Sequence, residues 1–357
     1  MKSRLRFAVR FILFAGAMLI SMELAARIDD LCQFGAPLFK NYDFDRLFVF
    51  DGRVMRGVPH ARYAKWTLNS LGMRGPEPAP LQGQTRVVVF GASEVFGIYE
   101  SDGKNLPQQL DVMLNATSPV SRYEVMNAGI PGMRVGSGID YLREIGARLH
   151  PAVVVIYPTP THYIGVSRPN CGRPFRPPAT QNNVTWPALR LMGKSVDRIK
   201  QSMPKPVLTL ARRGTLAWAM RNTATLQSVD PASLAAFEID MACAINAVRG
   251  IGAVPIIVTH ANRFRSTGSA DDAYWLTGWR AQYPELAEGG FIALEERANQ
   301  SIRRIADANR VRLVDAGAAL GGDPANFADH AHFSDAGAEK MARLLAEAVA
   351  QSNNTVF

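Results

Sequence analysis

From Arg86 to Gln351 the chain alternates short apolar runs with stretches of helical period, and this alternation constrains the fold more than any other feature. Arg86 to Phe90 reads as a strand, and Leu106, Leu110 and Met113 then mark one face of a helix that tolerates Pro107 in its first turn. Tyr123 to Met126 is a short strand ending at Asn127-Ala128-Gly129. Val135, Ile139, Leu142, Ile145 and Leu149 give the next helical stripe, and Ala152 to Tyr157 the next strand. Leu234, Phe237, Met241, Ile245 and Val248 precede the run Ala253 to Thr259; a helix from about Phe291 to Asn309 leads into Val311 to Asp315, and Asp335 to Gln351 closes as a helix. Strands separated by helices pair in parallel through right-handed crossovers, so the expectation is an α/β fold of three layers, α/β/α, around a central parallel sheet. Sites in such sheets gather at the carboxyl ends of the strands. Ser93, Gly129, the segment after Tyr157, His260 and the Asp329 loop all fall there.

The 357 residues, 47% hydrophobic and 20% charged, suit one large domain with attachments. The N-terminus starts Met1-Lys2-Ser3-Arg4-Leu5-Arg6, and from Phe7 to Ala26 only Arg10 and Glu23 are charged. Residues 1–27 therefore read as a transmembrane helix with its basic end cytoplasmic and the rest exported. A cleaved signal peptide is the competing reading, although no clear A-x-A site follows. Residues 28–84 read as an extended lead-in arm, and residues 85–351 as the main domain. Cys32, Cys171 and Cys243 lack any CxxC or metal-ligand spacing, so at most one bridge forms.

The net charge of +9 is uneven. From Arg168 to Arg213 there are ten Lys or Arg and a single acid, Asp197, within a Pro-rich insertion spanning about residues 164–230. Leu189, Met192, Val196 and Ile199 share a helical face there, with basic residues around the rest of the turn. Such a helix either rests on anionic headgroups or an acidic polymer, or packs on the body with a solvated basic face. Nucleic acid is not expected, since no recognised binding motif accompanies the charge.

Two short segments carry chemistry. Asp329-His330-Ala331-His332 places a carboxylate three residues before an imidazole in a loop, and Val87-Val88-Val89-Phe90 breaks into Gly91-Ala92-Ser93. A hydroxyl held just past a strand, with a base and an orienting carboxylate at the same sheet edge, makes a nucleophile with its activating pair. Helix capping is the competing role for Ser93 and a loop ion pair for Asp329 and His332; joint placement at one edge favours the triad. Asp329, His330 and His332 also offer metal-ligand types, but alternate residues of an extended loop point apart and no carboxylate cluster or HExxH accompanies them, so no metal is expected. Neither a P-loop nor a GxGxxG follows a strand, and no cofactor is expected.

These residues resemble the SGNH (GDSL-type) hydrolases over about Arg86 to Val349. Gly91-Ala92-Ser93 stands for that family's Gly-Asp-Ser turn, Asn127-Ala128-Gly129-Ile130-Pro131-Gly132 for its glycine block, and Asp329 to His332 for its Asp-x-x-His. The resemblance implies a flavodoxin-like sheet, with Ser93, Asp329 and His332 as catalytic residues and the oxyanion bound by the Ser93 and Gly129 amides. The family's Gly-x-Asn-Asp is replaced by Thr159-Pro160-Thr161-His162, so no asparagine occupies the oxyanion position; either Thr161 through its hydroxyl or His162 through its ring donates there, or the segment is a rigid, proline-braced loop without catalytic duty. Losing such a donor costs about 2.7–4 kcal/mol of transition-state stabilisation. Leu68-Asn69-Ser70-Leu71-Gly72-Met73-Arg74-Gly75 is similar to the segment before the hydrolase block in membrane-anchored members associated with bacterial surface polysaccharides. The resemblance implies an inner-membrane serine esterase with a periplasmic domain, acting on O-acyl groups, O-acetyl among them, of a carbohydrate. His162, His260, Asn262 and Arg263 are the expected substrate contacts, with bracing of the loop as the alternative for the last three. An acyltransferase with the same triad, and a binding or assembly protein with a degenerate oxyanion hole, are the alternatives. Oligomeric state is left open.

Overall fold

The computed structural model describes residues 2–39, 42, 44–80, 83–117, 122–171, 202–264 and 270–353. Helix α1 (Lys2–Phe34) carries Phe7, Phe11, Ile12, Leu13 and Phe14 almost wholly exposed, as an apolar helix without a protein partner does. It runs past residue 27 and is long enough to cross a bilayer. The lead-in arm forms two short antiparallel hairpins, β1 (Phe48–Phe50) with β2 (Met55–Gly57) and β3 (Arg62–Tyr63) with β4 (Trp66–Thr67). Phe44, Phe48, Tyr63 and Trp66 from this arm pack around Leu47, Leu68 and Phe96.

The central sheet comprises β5 (Gln84–Gly91), β6 (Arg122–Gly129), β7 (Val153–Tyr157), β8 (Val254–Val258) and β9 (Arg312–Val314), in the order β6-β5-β7-β8-β9 and parallel throughout. This is the 2-1-3-4-5 arrangement of flavodoxin-like sheets, whose switch point lies at the carboxyl end of the first strand. Here that end is Gly91-Ala92-Ser93. Alternation along β5 splits its apolar side chains between two cores. Val88 and Phe90 face α4 (Ile139–Leu149) and α6 (Pro231–Gly250) through Leu142, Ile145, Phe237 and Met241. Val87 and Val89 face α3 (Leu106–Thr117) and the C-terminal helix through Leu110, Leu114, Met341 and Leu345.

Beyond the expected helices, α5 (Lys205–Ala219) and α7 (Ala270–Arg280) pack together outside the sheet. The helix α8 (Glu288–Asn309) starts slightly earlier than its apolar stripe suggests; α9 (Ala316–Leu320) and α10 (Asp335–Asn353) complete the chain. The expected helix bearing Leu189, Met192, Val196 and Ile199 lies outside the described residues. Asn127, Ala128 and Gly129 belong to β6 itself, in register with Val89, Phe90 and Gly91, rather than following it. Cys171 and Cys243 form a disulfide that ties the segment after β7 to α6, while Cys32 is free.

Candidate active site

At the end of β5 the chain must turn sharply between two neighbouring strands. A Cβ on Gly91 would lie 2.6 Å from the Tyr157 carbonyl oxygen, so a side chain there would push β7 away. The turn α2 (Ser93–Phe96) follows at once and is closed by Gly97 in the left-handed region, at φ +83°. Its N-cap is Ala92, with no side-chain cap, so Ser93 is not the capping serine of the competing reading. With a single turn, α2 offers little macrodipole, so its support for negative charge at Ser93 is small. Arg74 of the lead-in arm is buried and donates to the carbonyls of Phe96 and Gly97, fixing the exit of this turn.

The loop before α10 supplies the base. Asp329 Oδ1 accepts hydrogen bonds from the amides of Ala331 and His332, and its Oδ2 meets His332 Nδ1 at 2.8 Å. An Asx-like turn therefore curls this loop, and Phe327 bridges Phe333 across its base. Burial disfavours ionised Asp329, but His332, the field of His330 and the Ala331 amide outweigh it and hold the carboxyl well below the usual range. Burial likewise disfavours imidazolium at His332, yet Asp329, aided by Glu94 and Glu100, raises its pKa above the ordinary 6.5. His332 Nε2 is buried and has no hydrogen-bond partner among the described residues. An imidazole with Nδ1 on a carboxylate and Nε2 unused is the form a general base takes.

The curl brings Asp329, His330 and His332 together, each with a ligand-type atom within 4.8 Å of the others, so the expectation that alternate residues point apart is not met. Asp329 Oδ2 and His332 Nδ1 are nevertheless already engaged with each other, and His330 stacks on Trp279 at 4.7 Å between ring centroids.

Ser93 Oγ does not donate to His332. It donates to Glu94 Oε2 at 3.2 Å, and Glu94 is the head of a buried network absent from the sequence-level expectations. Thr159 Oγ1 donates to Glu94 at 3.1 Å, and His260 bridges Glu94 Oε1 (Nε2, 3.3 Å) and Glu295 Oε2 (Nδ1, 2.6 Å). Burial opposes charge on His260, but the two carboxylates prevail and push its pKa up to about 10. Burial also opposes charge on Glu94; the hydrogen bond from His260 and the fields of His332, His260 and His162 keep it ionised, far below the usual range. Three histidines and the nucleophile's neighbour thus converge at the carboxyl edge of the sheet. The sequence did carry a signal: Glu94 sits in an otherwise small and apolar turn, and Glu295 on the buried face shared with Phe291, Leu294, Ala298 and Ile302. Acids on core faces require a cationic or hydrogen-bonding partner.

The remaining expected residues divide. Gly129 N–H donates to Asn127 Oδ1 at 3.0 Å, and a Cβ at Gly129 would lie 2.3 Å from Phe96 N. Its amide is therefore used within β6, and its lack of a side chain lets α2 approach the strand; it does not stand as a free oxyanion donor. Further along, Ile130 to Met133 closes a turn with Gly132 at φ +77°, and the Gly132 N–H has no partner among the described residues. Thr161 is buried in the turn Pro160–Tyr163. His162 Nδ1 meets the Met133 carbonyl at 3.2 Å and burial lowers its pKa, so the neutral ring donates through Nδ1 and leaves Nε2 only to accept. It is not an oxyanion donor. His260 is wholly buried between Glu94 and Glu295, which fits bracing rather than the expected substrate contact. Arg263 is also turned inward, donating to the Pro324 carbonyl at 3.3 Å and lying over Trp275, which fits bracing rather than substrate contact. Asn262 accepts from Phe264 N and lines a cleft of about 540 Å³ beside Glu295 and Arg303.

No protein-family model and no curated protein matches the chain. Solved structures similar to it include a lipase/acylhydrolase from Enterococcus faecalis, at TM-score 0.43 and 16% identity, covering 74% of this chain and 95% of that one. A catalytic mutant of an acetylxylan esterase from Geobacillus stearothermophilus gives 0.43 and 13%, over 75% of this chain and 95% of that one. A GDSL-like lipase from Bacteroides thetaiotaomicron gives 0.41 and 14%, over 76% and 91%.

Proposed function

We propose that the chain is an SGNH-type serine esterase, with Ser93 as nucleophile, His332 as base and Asp329 as its orienting carboxylate. The observation that carries this reading is the Asp329–His332 pair, in which the buried Nε2 has no partner among the described residues while the field of His332 acts on Glu94, the residue next to Ser93. Rotation of Ser93 Oγ from Glu94 toward Nε2 would complete the triad. His332 then takes the hydroxyl proton as Oγ attacks an ester carbonyl, and returns it to the leaving alcohol as the tetrahedral intermediate collapses to an acyl-enzyme. Water attacks that acyl-enzyme with His332 again as base. The oxyanion is bound by the Ser93 amide, the Thr161 hydroxyl and, in place of Gly129, the unpartnered amide of Gly132.

The substrate in this reading is an O-acylated carbohydrate, O-acetyl included, met outside the cytoplasmic membrane. The apolar helix α1 supports anchoring, and the Cys171–Cys243 bridge supports an oxidising compartment. Transfer of the acyl group to a sugar hydroxyl uses the same acyl-enzyme. A non-catalytic binding role has one observation in its favour: the Ser93 hydroxyl is held by Glu94. Full-length protein incubated with a fluorophosphonate and with p-nitrophenyl acetate separates the catalytic readings from the binding one, and hydrolysis against transfer is then decided with an acetylated polysaccharide and a candidate acceptor. Labelling and hydrolysis in the wild type, both lost in Ser93→Ala, are expected. Labelling that persists in the variant defeats the Ser93 assignment, and a wild type that neither labels nor hydrolyses favours the binding protein.

A further inference from the structure

Helix α5 is built inside out. Its packed side is formed by Leu208, Arg212 and Leu216, with Arg212 donating to the Tyr274 carbonyl at 3.0 Å and lying 4.6 Å from the Tyr274 ring centroid. Its outward side carries Val207, Leu210, Ala211, Gly214 and Trp218, which at helical spacing fall in one stripe. Val207 is 51% exposed, Leu210 74% and Trp218 70%, and Met203 just before the helix is 41% exposed. Large apolar side chains aligned on one outward face mark a surface that is covered in use.

What covers it is indicated by charge and by the ends of the stripe. From Ser202 to Val229 there is no Asp or Glu, and while Lys205 and Arg212 turn to Tyr274 and Trp275 of α7, Arg213 and Arg221 are left beside the stripe. Arg221 lies over the Trp218 ring at 4.7 Å, so an interfacial aromatic and a cation close one end of the stripe together. An apolar stripe flanked by basic residues and ending in Trp is the composition of a helix lying in the headgroup layer of an anionic bilayer. The apolar α1 gives the same chain a means of being at a membrane, and a tether raises the local lipid concentration enough for a weak second contact to be occupied.

We propose that the outward face of α5 lies in the interfacial layer of an anionic membrane, as a second contact beside α1. This rests on the anchoring part of the reading above and not on the triad. The test uses the full chain with Cys32→Ser, a nitroxide at Leu210→Cys, and nanodiscs of phosphatidylcholine with or without phosphatidylglycerol. Relative accessibility to oxygen over a water-soluble nickel chelate is expected to rise severalfold at position 210 when phosphatidylglycerol is present, and Arg213→Glu with Arg221→Glu is expected to reverse that rise. A water-like label at 210 in both discs overturns the proposal. So does a label shielded from both reagents, which would mean that protein covers the face. The same measurement at Phe14→Cys isolates the anchor: a water-like label there removes the spanning reading and the proposal together, whereas a lipid-like label at 14 with a water-like one at 210 removes the proposal alone.

Discussion

Asp329 acts on His332 twice, holding Nδ1 so that Nε2 stays an acceptor and raising the pKa of the ring. In the proposed triad His332 must be neutral to take the Ser93 proton, so its raised pKa would place the acid limb of the rate profile above the ordinary histidine value of 6.5. Glu94 and Glu100 push in the same direction; Glu100, itself lifted by burial to about 7, ionises across the same range. Asp329→Asn removes the principal raising influence while burial continues to lower the pKa. The acid limb of kcat/KM for p-nitrophenyl acetate is therefore expected to move to lower pH, with kcat falling about 10⁴-fold from loss of the correct tautomer. An unmoved limb would mean that Asp329 does not govern the base. Ser93, Asp329 and His332 were recognisable because each stands in a short local pattern. Glu94, His260 and Glu295 were not recognised as partners, because they lie up to 201 residues apart along the chain and meet only once three elements are stacked.

Strands and helices follow from apolar period, so the five strands and their parallel order were readable before any contact was known. The ends of elements were harder. The strand was expected to end at Asn127 to Gly129, yet pairing with Val89 to Gly91 keeps these residues in the sheet, where Asn127 bonds the carbonyls of Val95 and Phe96 as well as the Gly129 amide. Arg74, joined to Asn127 by a β-bridge, holds the same Phe96 carbonyl, so the strand and the lead-in arm fix α2 together. That gives Gly129 a structural role with a measurable outcome. In Gly129→Ala the new methyl meets backbone at 2.3 Å, which no rotamer relieves, so a loss of about 1–3 kcal/mol in urea unfolding is expected. Fluorophosphonate labelling of Ser93 should weaken along with it. Unchanged stability would show that α2 is held by Arg74 alone.

On the scale of the whole molecule, each face of the sheet has its own core, and the basic segment after β7 is an addition secured by other means. Asp240 of α6 accepts from Tyr163 Oη and from the amides of Asn170 and Cys171, and one turn along the same helix Cys243 closes the disulfide. Composition limited the chain to one bridge but left its partners open, since proximity of the two Cα atoms, 6.1 Å, comes only from packing the loop on α6. The bridged residues are 72 apart, and closing a loop of that length restricts the unfolded chain by about 4 kcal/mol. Because the Asp240 hydrogen bonds already define the native position of Cys171, removing the bridge should act chiefly on the unfolded state. Cys171→Ser with Cys243→Ser is therefore expected to lose about 2–4 kcal/mol in urea while still labelling at Ser93 below the transition. Loss of labelling with the fold intact would instead mean that the bridge positions the Thr159 to His162 turn, making the attachment of the basic segment part of the active site.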